Sequence, residues 1–498
     1  MFSRSKMSTI SGMKRHNIAL LNDSFPPIID GVANVVVNYA RIIEKSYGHA
    51  VVLTPQMPDS DDSSQPFRVI RYPSIDTRKL FGYVTGYPFS PVAASTIESE
   101  GIELLHTHCP VTSALLARSL AEAADLPLVL TWHTKYDIDI ANAIKSRLLR
   151  EGALQALLTN VNACDEVWTV SRGAGENLRS LGYEGTYTVM PNGVDLPREK
   201  VSDSLVQEVT GGYDLPEGVP CFLFAGRLMW YKGLRIILDA LDRLDMEDDD
   251  FRMVIVGGGG DELGVRKYAH ELGLDGKVIF TGPVRDREKL RAWYSRADLF
   301  LFPSTFDTNG LVVREAAASD TASVIIEGSC ASEGVTDGRN GFTIEENAES
   351  LAAKLRELIR HPEAMKRVGK GAGDELYISW EDAIAKAYDR YGAVIDNYRS
   401  GVYGRHDPLK GSWMQSQGEL MQILGNIETA RRGLIKNAEE LAEDIDMSMR
   451  SVRNKALTGM ITAGYEAREN IRQRGREAVS DLESFLDELS ESFWDKNE

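Results

Sequence analysis

The chain has 498 residues, 43% hydrophobic and 26% charged, as expected of a soluble globular protein of two or three domains. Its formal net charge of -18 argues against nucleic acid, which needs a basic face, and against wide electrostatic docking on an anionic bilayer, while leaving a local basic patch open. The four cysteines, Cys109, Cys164, Cys221 and Cys330, form no CxxC pair, so neither a zinc site nor a disulfide framework is indicated and a reducing compartment fits.

Residues 1–14 are polar and Ser-rich, without the apolar core of a signal peptide, and no stretch reaches the ~18 apolar residues of a membrane span. A cytosolic chain with a disordered N-terminus is expected. Residues 17–22 read as a buried strand, followed by a loop holding Asp23 and Gly31 and a helix from about residue 32 to 45. Strand, glycine-bearing loop and helix open a doubly wound sheet. Strand segments at 50–54, 102–106, 126–131, 166–170 and 186–190 continue it, with a helix over 111–124. The charged, Gly/Pro-punctuated residues 201–218 read as a linker. A second series follows, with strands at 221–225, 251–256, 278–281, 299–302 and 323–326. Two tandem Rossmann-like domains are expected, at 15–200 and 219–376. Ligands then bind beyond the carboxyl ends of the strands, in a cleft between the two sheets.

After residue 376 the character changes. Residues 377–400 hold one helix, with Ile384, Ala387, Tyr391 and Ile395 at helical spacing. From 405 to 498 strand signals vanish. Leu420, Leu424, Ile427, Leu434, Ala438, Leu441 and Ile445 recur in steps of three and four, broken at Arg431. The tail reads as an all-helical extension of coiled-coil type, in a hairpin or a homo-oligomer.

The chemistry gathers on one stretch. The strand 299–302 ends in Pro-Ser, then Asp307-Thr-Asn-Gly310-Leu, then a small-residue helix carrying Glu315. Gly310 allows close backbone approach to a ligand, and a helix N-terminus attracts phosphate. Two acids flank that start, as a nucleotide-sugar site requires; alone, they read more readily as solvated carboxylates, and their place at the end of a buried strand beside a helix-opening glycine shifts that reading. In Gly226-Arg227-Leu-Met-Trp-Tyr-Lys232-Gly233, the guanidinium and ammonium could hold a diphosphate or could be surface cations at a turn. The run 257–260 could admit a nucleotide or form a tight turn. His133, beyond its strand, could polarise a hydroxyl or take a proton near neutral pH, or serve as a hydrogen-bonded structural histidine. His106, His108 and Cys109 lack a further ligand at metal spacing, so they are expected to shape the cleft and no metal site is assigned.

In order, Gly226-Arg-Leu…Lys232-Gly233, Val256-Gly-Gly-Gly, Phe302-Pro-Ser…Asp307-x7-Glu315-Ala and Asp337-Gly-Arg-Asn-Gly341-Phe resemble glycosyltransferase family 4, retaining nucleotide-sugar enzymes of the GT-B fold. The match runs from about residue 16 to 398 and includes the crossing helix after Trp380, which in this fold packs back on the first domain. The resemblance implies that Arg227 and Lys232 hold the donor diphosphate, helped by amides near Gly310 and Leu311. It implies that Glu315 binds the ribose hydroxyls, Asp307 faces the transferred sugar, His133 lies near its reacting end and Gly31 lies under the diphosphate. Gly257, Gly258 and Asn309 are assigned to the donor side, and Asp23, Lys135 and Tyr136 to the acceptor side. No metal and no tightly bound cofactor is implied. Retention without an evident nucleophile implies front-face departure and attack.

The family usually has Glu at position 307; Asp is shorter by one carbon–carbon bond, ~1.5 Å. The forms Asp307-Thr-Asn-Gly-Leu, Glu327-Gly-Ser-Cys-Ala-Ser-Glu-Gly and Thr131-Trp-His-Thr-Lys-Tyr resemble the diacylglycerol glucosyltransferase branch. That implies a glucosyl donor, a membrane-lipid acceptor and peripheral contact with the inner face of the membrane. The competing expectations are a soluble saccharide or polysaccharide acceptor, which the acidic charge favours, and a catalytically weak scaffold acting through its tail. A two-carboxylate glycosidase is disfavoured by the phosphate-binding features.

Overall fold

The computed structural model describes residues 14–403 apart from 29, 59, 76–83, 89, 137–139, 141–146, 200 and 248, with only the backbone at 148 and 149. The expected helical extension at 405–498, with its coiled coil and oligomer, lies outside the described residues, as does the N-terminal stretch 1–13.

The first half runs β1 (Asn17–Leu21), α1 (Gly31–Ser46), β2 (His49–Pro55), β3 (Arg68–Tyr72), a two-strand antiparallel ribbon of β4 (Ser74–Ile75) and β5 (Thr85–Gly86), α2 (Pro91–Ser99), β6 (Leu104–Thr107), α3 (Thr112–Ala124), β7 (Leu128–Trp132), α4 (Arg147–Asn162), β8 (Glu166–Thr169), α5 (Arg172–Ser180) and β9 (Tyr187–Val189). Seven of these strands form one parallel sheet in the order β3-β2-β1-β6-β7-β8-β9. Helices cover both faces, so Ile18, Ala19, Leu20 and Leu21 are all fully buried.

The second half follows α6 (Asp203–Thr210), a short helix within the expected linker, capped by the Ser202 hydroxyl. It comprises β10 (Cys221–Ala225), α7 (Leu234–Asp245), β11 (Arg252–Val256), α8 (Glu262–Glu271), β12 (Val278–Gly282), α9 (Arg287–Arg296), β13 (Leu299–Phe302), α10 (Leu311–Ala318), β14 (Ala322–Ile326), β15 (Phe342–Ile344), α11 (Ala348–Arg360) and α12 (Pro362–Glu375). Its parallel sheet has the order β12-β11-β10-β13-β14-β15. This is the GT-B architecture, two doubly wound halves. In each, the order reverses at the first strand, beside β6 in one and β13 in the other, and the crevice at that reversal is where such sheets bind ligands.

Several elements are absent from the expected string, among them β3, the β4–β5 ribbon, β15, α2, α4 and α6. β3 and β15 sit at sheet edges: β3 carries Arg68 and Arg71 and is largely half-exposed, and β15 has three residues. Neither makes the buried apolar run by which the other strands are read. α6 lies within 201–218, where Gly/Pro punctuation reads as a linker.

The last helix, α13 (Trp380–Arg399), lies against the first core: Ile384, Ala387, Tyr391 and Ile395 are buried among Ile18, Leu20 and Tyr39. Tyr391 also donates or accepts at His106 Nδ1 (2.6 Å), whose Nε2 meets the Thr131 hydroxyl (2.7 Å). The two passages between the halves are bound to one another, Val194 N donating to the Ile378 carbonyl (3.0 Å). Among the described residues no helix is long and apolar enough to cross a membrane.

Candidate functional site

β10 ends at Ala225, and residues 226–233 turn at the mouth of the second sheet before α7 starts. Arg227 is exposed there, with no side-chain hydrogen bond or ion pair to another described residue. Lys232 is not free. Its Nζ lies 3.0 Å from Asp307 Oδ2, both side chains being largely buried. Gly233 sets this position. It holds φ at 82°, and a Cβ there would stand 2.0 Å from the Pro303 carbonyl oxygen. Gly233→Ala is therefore expected to destabilise the protein by about 2 kcal/mol or more, from left-handed strain plus overlap. Gly218, at the same φ but in open space, isolates the strain. Thermal unfolding should show the larger drop for Gly233→Ala, with donor turnover lost only there.

Asp307 closes the loop before α10. Its Oδ1 accepts from the Asn309 amide (3.1 Å) and the Gly310 amide (2.7 Å), while Oδ2 meets Lys232. The shorter acid is thus folded onto its own loop, and both oxygens are engaged. Burial alone would raise its pKa; Lys232 and the two amides outweigh that and hold it below the ordinary carboxylate value. Gly310 takes the left-handed conformation (φ 62°) that turns the chain into α10, with its own Cβ direction facing Ala331 Cα. The Gly310 carbonyl takes the Val313 and Arg314 amides (3.0 and 3.2 Å), and the Leu311 and Val312 amides at the very start of α10 make a ready anion site. Asn309 is more than nine-tenths buried, yet neither side-chain amide atom has a partner among the described residues. Such a group costs about 1–3 kcal/mol and is relieved by a ligand hydroxyl.

Glu315 lies in α10. Its Oε2 accepts from the Tyr294 hydroxyl (3.2 Å) and its Oε1 is 3.5 Å from Arg287 Nη1. Burial pushes its pKa up to about 7, against the pull of Arg287 and Tyr294 and with help from Asp195 and Asp307. Gly257 and Gly258 close β11 beside the end of β10, the Gly258 carbonyl accepting from the Leu228 amide (3.1 Å).

Across from this loop stands the first half. Thr308 Oγ1 donates to the His133 carbonyl (3.1 Å), Ser171 Oγ donates to the Thr308 carbonyl (2.5 Å), and Lys135 Nζ donates to the Thr305 carbonyl (3.3 Å). The fold therefore brings His133 and Lys135 to the loop that carries Asp307. His133 is buried, its Nε2 3.0 Å from His108 Nδ1, and burial drives its pKa down to about 3. It is a neutral hydrogen-bonding group, and of the two chemical roles open to it, polarising a hydroxyl fits this environment and taking a proton near neutral pH does not. Tyr136 packs edge-on against Trp132, with ring centroids 4.6 Å apart. Gly31 opens α1 at the surface, with open space where a side chain would be.

Asp23, assigned to the acceptor side, is tied to the start of α3. Its carboxylate caps α3 from far along the chain, accepting from Thr112 N (3.1 Å), Thr112 Oγ1 (2.5 Å) and Ser113 N (2.7 Å). Among the described residues no group of three His, Cys, Asp or Glu is placed to hold a metal ion. Sequence reasoning missed Tyr294, Arg287, Thr308 and Ser171. Arg287 sits in the charged run Arg285-Asp-Arg-Glu-Lys, which reads as a solvated helix start. A hydroxyl donating across the cleft leaves no periodic mark.

The profile described as Glycosyl transferases group 1 matches residues 208–374, and that described as Glycosyltransferase Family 4 matches residues 29–198. An alpha-monoglucosyldiacylglycerol synthase of Streptococcus pneumoniae is 24% identical over 386 residues, covering 76% of this chain and 86% of that one. A D-inositol 3-phosphate glycosyltransferase of Xylanimonas cellulosilytica is 28% identical over 356 residues, covering 67% and 84%. In fold, the chain is similar to the sucrose-phosphate synthase of Thermosynechococcus elongatus, with a TM-score of 0.62 at 20% identity over 77% of this chain and all of that one. It is also similar to Anabaena Alr3699/HepE in complex with UDP, with a TM-score of 0.61 at 18% identity, covering 76% of this chain and 100% of that one.

Proposed function

The chain belongs to glycosyltransferase family 4, and on that premise we propose that it is a retaining hexosyltransferase moving glucose from a nucleotide-sugar to the hydroxyl of a membrane lipid such as diacylglycerol. The observation that carries the donor part is the Lys232–Asp307 ion pair at the glycine-led start of α10, with Glu315 inside that helix. A cation, helix amides and two acids of different environment converge at the mouth of one sheet. The lipid acceptor is supported by the similarity to the alpha-monoglucosyldiacylglycerol synthases of Streptococcus pneumoniae and Acholeplasma laidlawii.

In this reading Arg227, Lys232 and the amides after Gly310 receive the donor diphosphate, with Gly31, Gly257 and Gly258 bordering it. Glu315 accepts from the ribose hydroxyls. Lys232 moves from Asp307 to the diphosphate when donor arrives, which frees Asp307 Oδ2 for a sugar hydroxyl while Oδ1 keeps the loop folded. The buried Asn309 amide takes another hydroxyl. As the bond between the anomeric carbon and the phosphate oxygen breaks, negative charge grows on the diphosphate, where the preorganised cations stabilise it, one such donor being worth about 3 kcal/mol. The acceptor oxygen bonds to the same face, and its proton passes to the departing phosphate oxygen. Neutral His133 orients the sugar by hydrogen bonding. No metal and no tightly bound cofactor enters this scheme. Catalysis at the inner face of the membrane, with Lys135 and Tyr136 on the acceptor side, follows from the same reading.

Transfer of labelled sugar from a panel of nucleotide-sugars, offered diacylglycerol vesicles and soluble saccharides in parallel, tests the assignment. Label in the lipid phase is expected. Label in the saccharide alone would move the acceptor to the soluble class, and donor turnover unchanged in Glu315→Ala would remove the site.

A further inference from the structure

One carboxylate sits where the chain passes between its halves, and four side chains donate to it. Asp195 Oδ1 accepts from Trp380 Nε1 (2.7 Å) and Asn38 Nδ2 (3.2 Å); Oδ2 accepts from Asn34 Nδ2 (3.0 Å) and Arg287 Nη2 (2.9 Å). Asn34 and Asn38 belong to α1 of the first half, and Trp380 begins α13. Arg287 is the first residue of α9 in the second half, a helix whose start is fixed by Asp286 accepting from the Glu288 and Lys289 amides. The other terminal nitrogen of Arg287, Nη1, faces Glu315 Oε1 at 3.5 Å. One guanidinium thus spans two carboxylates, a task its planar fork suits and an ammonium does not. The groups acting on Glu315 are Arg287 and Tyr294 from α9, Asp195 from the interdomain passage and Asp307 from the donor loop; Arg287 is the cation of that set.

We propose that Arg287 is a positioning residue that holds Glu315 as a carboxylate for the donor ribose and ties that acid to the interdomain hinge at Asp195. The inference rests on the reading of Glu315 as the ribose acid. It adds a coupling: the hinge arrangement that puts Asp195 on Arg287 also puts Arg287 on Glu315, so donor binding and hinge geometry favour one another reciprocally. Tyr294 donates to the other oxygen of Glu315 and completes its orientation.

The test titrates the full chain with whichever of UDP and GDP binds more tightly, and with its 2′,3′-dideoxy analogue, from about pH 5.5 to about pH 8.5, a range bracketing the pKa of about 7 at Glu315. In the unsubstituted protein the preference for the ribose form should grow as pH rises through the Glu315 titration. In Arg287→Met the midpoint of that growth should rise by about one unit, so that affinity falls roughly fivefold near neutral pH and much less at the alkaline end. Arg287→Lys should restore the midpoint in part. Asp195→Asn, which removes the acid competing for the guanidinium, should lower it. A loss in Arg287→Met that is equal at every pH, or no loss, overturns the inference, and so does an unmoved midpoint in Asp195→Asn. No ribose preference in the unsubstituted protein would overturn the assignment of Glu315 itself, and this inference with it.

Discussion

Lys232→Met is expected to lower nucleotide-sugar turnover by about two to three orders of magnitude, the usual effect of removing one preorganised donor from a developing anion. The structure adds a complication that the assay must separate. Lys232 neutralises Asp307 at 3.0 Å in a largely buried pair, so its removal also strands a buried carboxylate. Breaking such a pair costs about 3–5 kcal/mol when the partner stays charged. Asp307 keeps two backbone amides, which moderates the loss. The double variant Lys232→Met/Asp307→Asn removes the stranded charge. Its thermal unfolding should recover toward that of the unsubstituted protein while turnover stays low. Recovery of turnover along with stability would mean that Lys232 serves the fold and not the diphosphate.

Glu315→Gln should produce opposite effects on stability and function. The folded protein holds the Glu315 proton up to a pKa of about 7, against a reference value of 4.5. A carboxyl raised in this way contributes its full stability below the unfolded value and loses it as pH rises through the folded one. At about pH 8 the ionised Glu315 therefore costs about 3 kcal/mol relative to its protonated form. Glutamine removes that dependence. The variant should melt higher than the unsubstituted protein at about pH 8 and about the same at about pH 4.5. Its kcat/KM should fall roughly tenfold to a hundredfold, because charge-assisted bonds to the ribose hydroxyls become neutral ones. A variant with lower melting temperature and unchanged kcat/KM would contradict both halves. The opposition has a physical source: an acid that must accept from two hydroxyls has to be kept dry, and dryness opposes its charge.

Much of this was legible in the residues. The runs at 221–225, 253–256 and 299–302 are apolar through their length because both faces of a parallel sheet are covered, and their ends locate the loops that carry Arg227, Lys232 and Asp307. Gly310 before a small-residue run marks the start of α10. What could not be read depends on contacts across long separations. Asp195 meets Asn34, Arg287 and Trp380, none within sequence reach, and gives no periodic signal. Asp23 is a conspicuous acid in a first-strand loop, and only the fold reveals that it caps α3. For His133 the residue type alone suggests titration near neutrality, and burial beside His108 reverses that. Asp307 is the mixed case. Its departure from the family's usual Glu is visible in the sequence, and the reason the shorter acid fits, two amides of its own loop within reach of Oδ1, is visible only in the structure.

Retaining transfer from a nucleotide-sugar is checked by proton NMR of a single reaction. The purified chain, given an α-linked nucleotide-glucose and diacylglycerol vesicles, is followed at the anomeric proton as nucleoside diphosphate accumulates. Loss of the donor signal and appearance of an α-linked glucosyl lipid are expected from the first turnovers. A β-linked first product, or no turnover of any nucleotide-sugar in the same assay, would contradict it.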